Sequence, residues 1–450
     1  MSSQPLPTVP FVPAPSAASD AAECAVPGTP LAAVRAGIDT CVHCGFCLQA
    51  CPTYVNLEDE NDSPRGRILL MRSVYEGSLD VRDESVRTHI DRCLGCRACE
   101  PVCPSGVPYG HLLEATRATL LSERPLAPVA RFILWVFARP RLLSLALRGS
   151  RLFRATGLPA LGAWLSKGRL GFALGMLAST HPILPRRRYA AKGSGERGTV
   201  ALLRGCVMEG LYKSTNRATE RTLVVNDYRM VDAPGQRCCG ALHAHSGDLE
   251  TARKLARANA AAFERSGADF VVTNAAGCGA MMKEYGHLLG NDPAWAQRAA
   301  EFSAKVRDVS ELLVAAGPKP PRAAVPARVT YDAPCHLLHA QRISAQPIQV
   351  LRVIPGLELV PLTDSDQCCG AAGIYNLVEP ETSNAVLSPK IRNIAATRAA
   401  FVATGNPGCL MQIGAGLRGA GVDAHAVHPV ELLDEAYARS ARTETRRSSA

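Results

Sequence analysis

Sixteen cysteines fall into four groups whose spacing points to metal chemistry. Cys41-Val-His-Cys44-Gly-Phe-Cys47-Leu-Gln-Ala-Cys51-Pro52 is one run, and Cys93-Leu-Gly-Cys96-Arg-Ala-Cys99-Glu-Pro-Val-Cys103-Pro104 is the second. Both read C-x2-C-x2-C-x3-C-P, the pattern that ligates [4Fe–4S] clusters. Three thiolates two residues apart can wrap one face of a cuboidal cluster. The fourth, with its proline, is carried away by the next turn and reaches the other cluster. The spacing therefore predicts one centre on Cys41, Cys44, Cys47 and Cys103, and another on Cys51, Cys93, Cys96 and Cys99. Zinc is the competing metal, but tetrahedral zinc sites take two cysteine pairs rather than two runs of four. Gly45 and Gly95 are expected to relieve crowding where backbone N–H groups approach sulfur.

The other eight cysteines repeat. Gly205-Cys206, Cys238-Cys239-Gly240 and Gly277-Cys278 are followed by Pro334-Cys335, Cys368-Cys369-Gly370 and Gly408-Cys409. The intervals agree: 206 to 238 is 32 positions and 335 to 368 is 33, while 239 to 278 is 39 and 369 to 409 is 40. Neighbouring thiols point apart on ordinary backbone, and the glycine permits a turn that would converge them. Cys206, Cys238, Cys239 and Cys278, then Cys335, Cys368, Cys369 and Cys409, are candidates for further cluster ligation or a redox-active thiol site. The alternative is buried structural cysteine. Cys24 is left over and carries no expected role.

The elements that must hold these residues follow from the pattern around them. Stretches 67–75 and 83–93 read as helices between the two runs. In each repeat a strand precedes the first cysteine (199–203 and 328–331). A helix follows Cys-Cys-Gly (249–265 and 381–398), and a second strand precedes the last cysteine (269–273 and 400–403). Alternating strands and helices predict parallel α/β layers with the cysteines at strand ends, where helix N-termini favour an anionic cluster. The expected architecture is α+β and multi-domain. A tail (1–34) leads to a helical ferredoxin-type module (35–122). A basic helical connector (123–195) joins it to two Rossmann-like Cys-Cys-Gly domains (196–317 and 325–438), before a tail (439–450).

The net charge of +10 is local. Thirteen bases and no acid lie between Arg124 and Gly195, so the remainder of the chain sums to −3. Apolar residues between those bases suggest helices that meet an anionic membrane surface, or that pack on the chain's own domains or an acidic partner. Aromatics are 5% of residues and no helix-turn-helix or zinc-finger spacing accompanies the bases, which argues against nucleic acid. Residues 1–20 hold five prolines, no Lys or Arg and no apolar h-region, so export and structural disulfides are not expected. The longest uncharged apolar stretch, Leu170–Pro185, is 16 residues and holds two prolines, too short and broken to span a bilayer. Gly414-Ala-Gly416-Leu-Arg-Gly419 matches a dinucleotide motif but does not directly follow a strand, and a glycine-rich helix end fits better. His243, His245, His336 and His339 flank the repeat cysteines and are candidates for tuning clusters or moving protons, against a default of partly exposed helix-surface histidine.

Taken together, the two ferredoxin runs and two Cys-Cys-Gly units resemble the iron–sulfur subunit of glycolate oxidase (glycolate dehydrogenase). Wider kin are subunits of anaerobic glycerol-3-phosphate dehydrogenase, lactate utilisation proteins and heterodisulfide reductase. The resemblance is carried by the Cys41–Cys47 stretch with Cys51-Pro-Thr-Tyr54, by Pro64-Arg-Gly-Arg-Ile68, and by Asp91-Arg-Cys93-Leu. Gly277-Cys278-Gly-Ala with Lys283-Glu-Tyr-Gly286, and Cys335 with His339-Ala-Gln341, complete it. It covers roughly residues 35–435. It implies two [4Fe–4S] clusters, further clusters in the repeats, and FAD on partner subunits only. Those flavin subunits would oxidise glycolate to glyoxylate and this chain would pass the electrons towards quinone, at the inner face of the cytoplasmic membrane. A lactate, glycerol-3-phosphate or heterodisulfide system is the alternative, and a non-catalytic sensor a weaker one. The chain departs from the wider family where its repeats end in C-x2-C: Met281 and Gln412 occupy those positions, so four thiols per repeat remain, which leaves open a simpler cluster, one site in place of two, or an empty redox site.

Overall fold

The computed structural model describes residues 24–166, 168–185 and 189–448, with side chains as far as Thr443. The N-terminal module is built on helices Pro52–Leu57, Pro64–Tyr75, Glu84–Asp91 and Tyr109–Glu123. Proline opens the first two, where its missing N–H has no intrahelical partner to lose. Ser63 and Asp83 cap the second and third by accepting from the N–H groups of Gly66 and Ser85. Ile38, Ile68, Met71, Val86, Ile90 and Leu112 form the core, and Cys93 and Cys99 pack into it. Leu31 is 1% exposed in the same core and donates its N–H to Thr119 Oγ1 at 3.0 Å. The segment from residue 24 onward thus packs on the module instead of trailing as a tail. Residues 1–23 of the expected tail lie outside the described residues.

Four helices follow: Pro128–Phe137, Pro140–Ala155, Leu158–Leu165 and Gly168–Ser179. The first three again carry proline in their first turn. Each packs on the next, and Gly168–Ser179 lies along helix Pro407–Gly419 of the second repeat. Glycine permits that approach: a Cβ on Gly414 would come 2.6 Å from Ser179 Cβ. The Gly-Ala-Gly-Leu-Arg-Gly stretch is therefore the latter half of a packed helix. Lys167 and Arg186–Arg188 lie outside the described residues.

Each repeat forms a four-stranded parallel sheet. The first comprises β1 (Thr199–Leu202), β2 (Arg229–Val231), β3 (Phe270–Thr273) and β4 (Val306–Asp308) in the order β2-β1-β3-β4. The second comprises β5 (Ala327–Tyr331), β6 (Leu357–Val360), β7 (Phe401–Ala403) and β8 (His425–Val427) in the order β6-β5-β7-β8. The central strands are almost wholly apolar and buried, as a parallel sheet covered on both faces requires. Val200 pairs with Phe270 and Val329 with Phe401, so the two registers correspond. In both sheets the chain switches sides between the two central strands, which opens a crevice at their C-terminal ends. The last helix runs Pro429–Ser448, so most of the stretch expected as a C-terminal tail is helical.

His428 pins one repeat to the other. Its Nδ1 accepts from the Val430 N–H at 3.1 Å, and its Nε2–H donates to the Asn274 carbonyl at 2.9 Å. Burial pushes the imidazole down from its ordinary value to about 4, against the smaller upward pull of the Asn274 carbonyl. The unfolded chain therefore takes up the proton first. The contribution of this group is complete above about pH 6.5 and is lost as pH falls towards 4, about 3 kcal/mol in full. Thermal unfolding of the whole chain is expected to move to lower temperature across that window, and His428→Gln to flatten the dependence. Equal acid sensitivity in the variant would contradict this account.

Candidate metal-cluster site

The two N-terminal runs fold alike. His43 and Gly45 in the first, and Gly95 and Arg97 in the second, all have positive φ (53°, 86°, 61° and 62°). These are matching positions, the third and fifth of each run. The left-handed residues wrap the backbone so that alternate N–H groups face inward, and the Gly95 N–H reaches Cys93 Sγ at 3.4 Å. Glycine takes this conformation freely, whereas His43 and Arg97 adopt it against their side chains. Arg97 is anchored by ion pairs with Glu100 and Glu284. Burial would raise the Glu284 carboxyl, but His111 and Arg97 hold it well below the carboxylate range.

Cys41, Cys44, Cys47 and Cys103 line one small pocket with Arg65, Ile68 and Tyr109. Cys99 reaches the same wall. Cys44 is exposed, and so are Val42 and Phe46 beside it. Cys51, Cys93, Cys96 and Cys99 are all buried, and Cys96 and Cys99 each feel the charge of Cys51 and Cys93. Among the described residues no three cysteine sulfurs lie within 4.8 Å of one another. Four thiolates on one zinc ion at about 2.3 Å would stand only about 3.8 Å apart. The wider spacing suits a multi-iron cluster, and the donor set of eight thiols fits two of them.

A buried cation serves the second group. Arg67 and Asp62 are fully buried and paired at 3.1 Å. The guanidinium also donates to the His89 carbonyl at 2.6 Å and to Thr53 Oγ1 at 3.1 Å, and lies 4.0 Å from Cys51 Sγ. Tyr109 Oη stands 3.5 Å from Cys93 Sγ. A fixed positive charge and a hydroxyl beside these sulfurs stabilise added negative charge there. Sequence reasoning singled out Arg67 only within a motif; nothing in its spacing signals a buried ion pair.

The repeat cysteines also converge. Cys206 and Cys238 are 3.7 Å apart, and Cys238, Cys239 and Cys278 are linked by further contacts. Cys369 and Cys409 are 3.3 Å apart, with Cys335 and Cys368 joined to them. Cys206 and Cys278 follow the two central strands of the first sheet, and Cys335 and Cys409 those of the second, so both sets occupy the switch-point crevice. Gly240 and Gly370 turn the chain at φ +90° and +83°, and a Cβ on Gly370 would lie 2.5 Å from the Ser383 carbonyl. Met281 and Gln412 are buried, and Gln412 is engaged by Asn376 and Ser383.

Two of the four histidines, His243 and His339, are buried, whereas His245 and His336 are partly exposed. His243 is buried with Nε2 3.1 Å from the Leu134 carbonyl, and His339 is buried against the Asp366 carbonyl. His245 meets Glu114. His336 meets the Gly95 carbonyl at 3.0 Å, and burial pushes its ring down to about 4. That contact is one of several that seat the second run on the second repeat. Leu94, Cys96, Ala98, Cys368 and Tyr375 share one apolar cluster with Cys335 at its edge. Cys96 feels Cys368 more strongly than it feels the cysteines of its own run. The Cys93–Cys99 run thus lies between the Cys41 pocket and the Cys335/Cys368 crevice.

Comparison with known proteins gives the same division. Residues 37–107 match the family described as a 4Fe-4S dicluster domain, and residues 200–283 and 329–414 each match the cysteine-rich domain. The chain is 40% identical to the probable glycolate oxidase iron-sulfur subunit of Bacillus subtilis, over 88% of this chain and 93% of the relative. It is 32% identical to the glycolate oxidase iron-sulfur subunit of Escherichia coli, with the same coverage. Lactate utilization protein A of Geobacillus thermodenitrificans is 30% identical over 52% of this chain and 98% of the relative.

Proposed function

We infer the role of this protein from one premise: the chain belongs to the family of glycolate oxidase iron–sulfur subunits. It is an iron–sulfur electron-transfer subunit of an oxidoreductase, with [4Fe–4S] clusters in its N-terminal module. We assign Cys41, Cys44, Cys47 and Cys103 to one cluster and Cys51, Cys93, Cys96 and Cys99 to the other. Cys206, Cys238, Cys239 and Cys278, and Cys335, Cys368, Cys369 and Cys409, would hold further redox centres of four thiols each. The first module would begin before Leu31, and the second repeat would end with the helix Pro429–Ser448.

The donor is glycolate, oxidised to glyoxylate by flavin-bearing partner subunits with release of two electrons and two protons. A quinone takes up both and becomes the quinol. Bound clusters supply one-electron storage with little rearrangement. The chain's own residues do the rest. Arg67 and Tyr109 favour added charge at the Cys51 and Cys93 sulfurs. Cys96 and Leu94 share an apolar cluster with Cys368, which seats the second run on the second repeat. The observation that supports this reading is that contact, which sets the second cysteine run beside the cysteines of the second repeat. Whole-length similarity favours glycolate over lactate, since the lactate relative matches only half of the chain. No described helix is long and apolar enough to cross a membrane. We propose a peripheral position on the inner face of the cytoplasmic membrane.

The iron-loaded chain alone is expected to be reducible by dithionite yet to turn over no glycolate. Adding the flavin subunits should let glycolate reduce its clusters and a soluble quinone reoxidise them. Glycolate turnover by the chain without flavin subunits would refute the assignment, as would clusters that stay oxidised in the full assembly.

A further inference from the structure

We propose that the outward face of the four connector helices docks on an anionic membrane surface. Twelve of the eighteen exposed large apolar side chains among the described residues fall between Val129 and Ile183. Two of the chain's three tryptophans are among them: Trp135 is 47% exposed and Trp164 is 80% exposed. The inward faces of the same helices already bury Leu134, Leu143 and Met176 against the rest of the protein. Core packing therefore leaves the outward rows unexplained, and an apolar face this large on a charged protein marks a contact surface.

The rows have a particular grain. Along helix Pro140–Ala155 one exposed row reads Arg141, Leu145, Arg148, Leu152, at spacings of four, three and four. Helix Leu158–Leu165 presents Leu158, Leu161 and Leu165 on one row beside Trp164. On the first helix Phe132 stacks on Trp135, and the Arg139 guanidinium lies 4.2 Å from the Trp135 ring centre. Arg131, Arg141 and Arg148 have no ion-pair partner among the described residues, and no acid occurs between Arg124 and Gly195 to offer one. A protein interface gathers its apolar residues, with tryptophan and arginine among them, into one central patch inside a polar rim. Here guanidinium and apolar side chain alternate on a single row. That arrangement suits a plane where lipid phosphate meets acyl chain, with tryptophan and arginine at headgroup depth. The four helices would lie in the interface without crossing it. This locates the membrane contact of the function proposed above and rests on that reading for its purpose only.

The test uses the full iron-loaded chain with vesicles of phosphatidylcholine, and with vesicles of phosphatidylcholine and phosphatidylglycerol in equal parts. Sedimentation with the anionic vesicles only, lost at high salt, is expected, with tryptophan emission quenched by brominated acyl chains. Trp295, stacked by Arg298, supplies a constant background. Arg141→Gln and Arg148→Gln should each weaken binding about fivefold. Trp164→Ser combined with Leu165→Ser should weaken it more than tenfold. Iron content and dithionite reduction should stay unchanged in all three variants, which separates docking from folding. A chain that remains in the supernatant with anionic vesicles at low salt would overturn the proposal. So would binding that the substitutions leave intact, or tryptophans already shielded in the complex with flavin subunits before vesicles are added. Vesicle binding without glycolate-driven quinone reduction would instead count against the function and leave the docking surface standing.

Discussion

Serine in place of Cys103 is expected to erase the same iron signal as serine in place of Cys44, although the two lie in different runs. Each change should remove about four irons per chain and one of two EPR signals on reduction. Serine in place of Cys51 or Cys96 should remove the other. The reason is the pocket that Cys103 shares with Cys41, Cys44 and Cys47, while Cys51 is buried with the Cys93 triad. If Cys103→Ser spared the Cys44 signal and removed the Cys96 signal, the exchange of outer ligands would be wrong. The same measurement reports on the repeats: Cys368→Ser should lower iron below wild type without touching either of these signals.

Arg67→Met should destabilise the N-terminal module by about 3 kcal/mol, near the lower end for breaking a buried ion pair. Both partners are fully buried, so the variant strands the Asp62 carboxylate and leaves the His89 carbonyl and Thr53 hydroxyl without their donor. Arg92 still reaches Asp62 at 3.1 Å, which limits the loss. Arg67→Lys should recover little, because one ammonium cannot reproduce the guanidinium fork. The urea midpoint for bleaching of the clusters, taken without oxygen, reads the effect. A shift equivalent to under about 1 kcal/mol would show that the pair is dispensable.

Much of this molecule could be read from residue order. The cysteine runs carry their chemistry in their spacing, and strands expected at 269–273 and 328–331 appear at Phe270–Thr273 and Ala327–Tyr331. Helices expected at 249–265 and 381–398 appear at Leu249–Ser266 and Pro380–Thr397. Runs of apolar residues between glycines have few alternatives in a parallel sheet. What stayed hidden depends on contacts distant in sequence. Leu31 looks like part of a flexible leader until Thr119 captures its N–H. Arg97 gives no sign of a left-handed backbone, since arginine does not favour it. The Lys390–Asp332 pair, buried beside Cys369, joins a helix to the residue just after strand β5, 58 positions away. The seating of Cys96 on Cys368 is likewise a matter of domain docking, for which local periodicity holds no signal.

The rim position of Cys44, with Val42 and Phe46 open to water on either side, has a price in air. Whatever lies near enough for another protein to touch lies near enough for dioxygen to corrode. The outermost iron should therefore be the first to rust away, while its sunken neighbour outlasts it, and the enzyme would fail from its doorway inward.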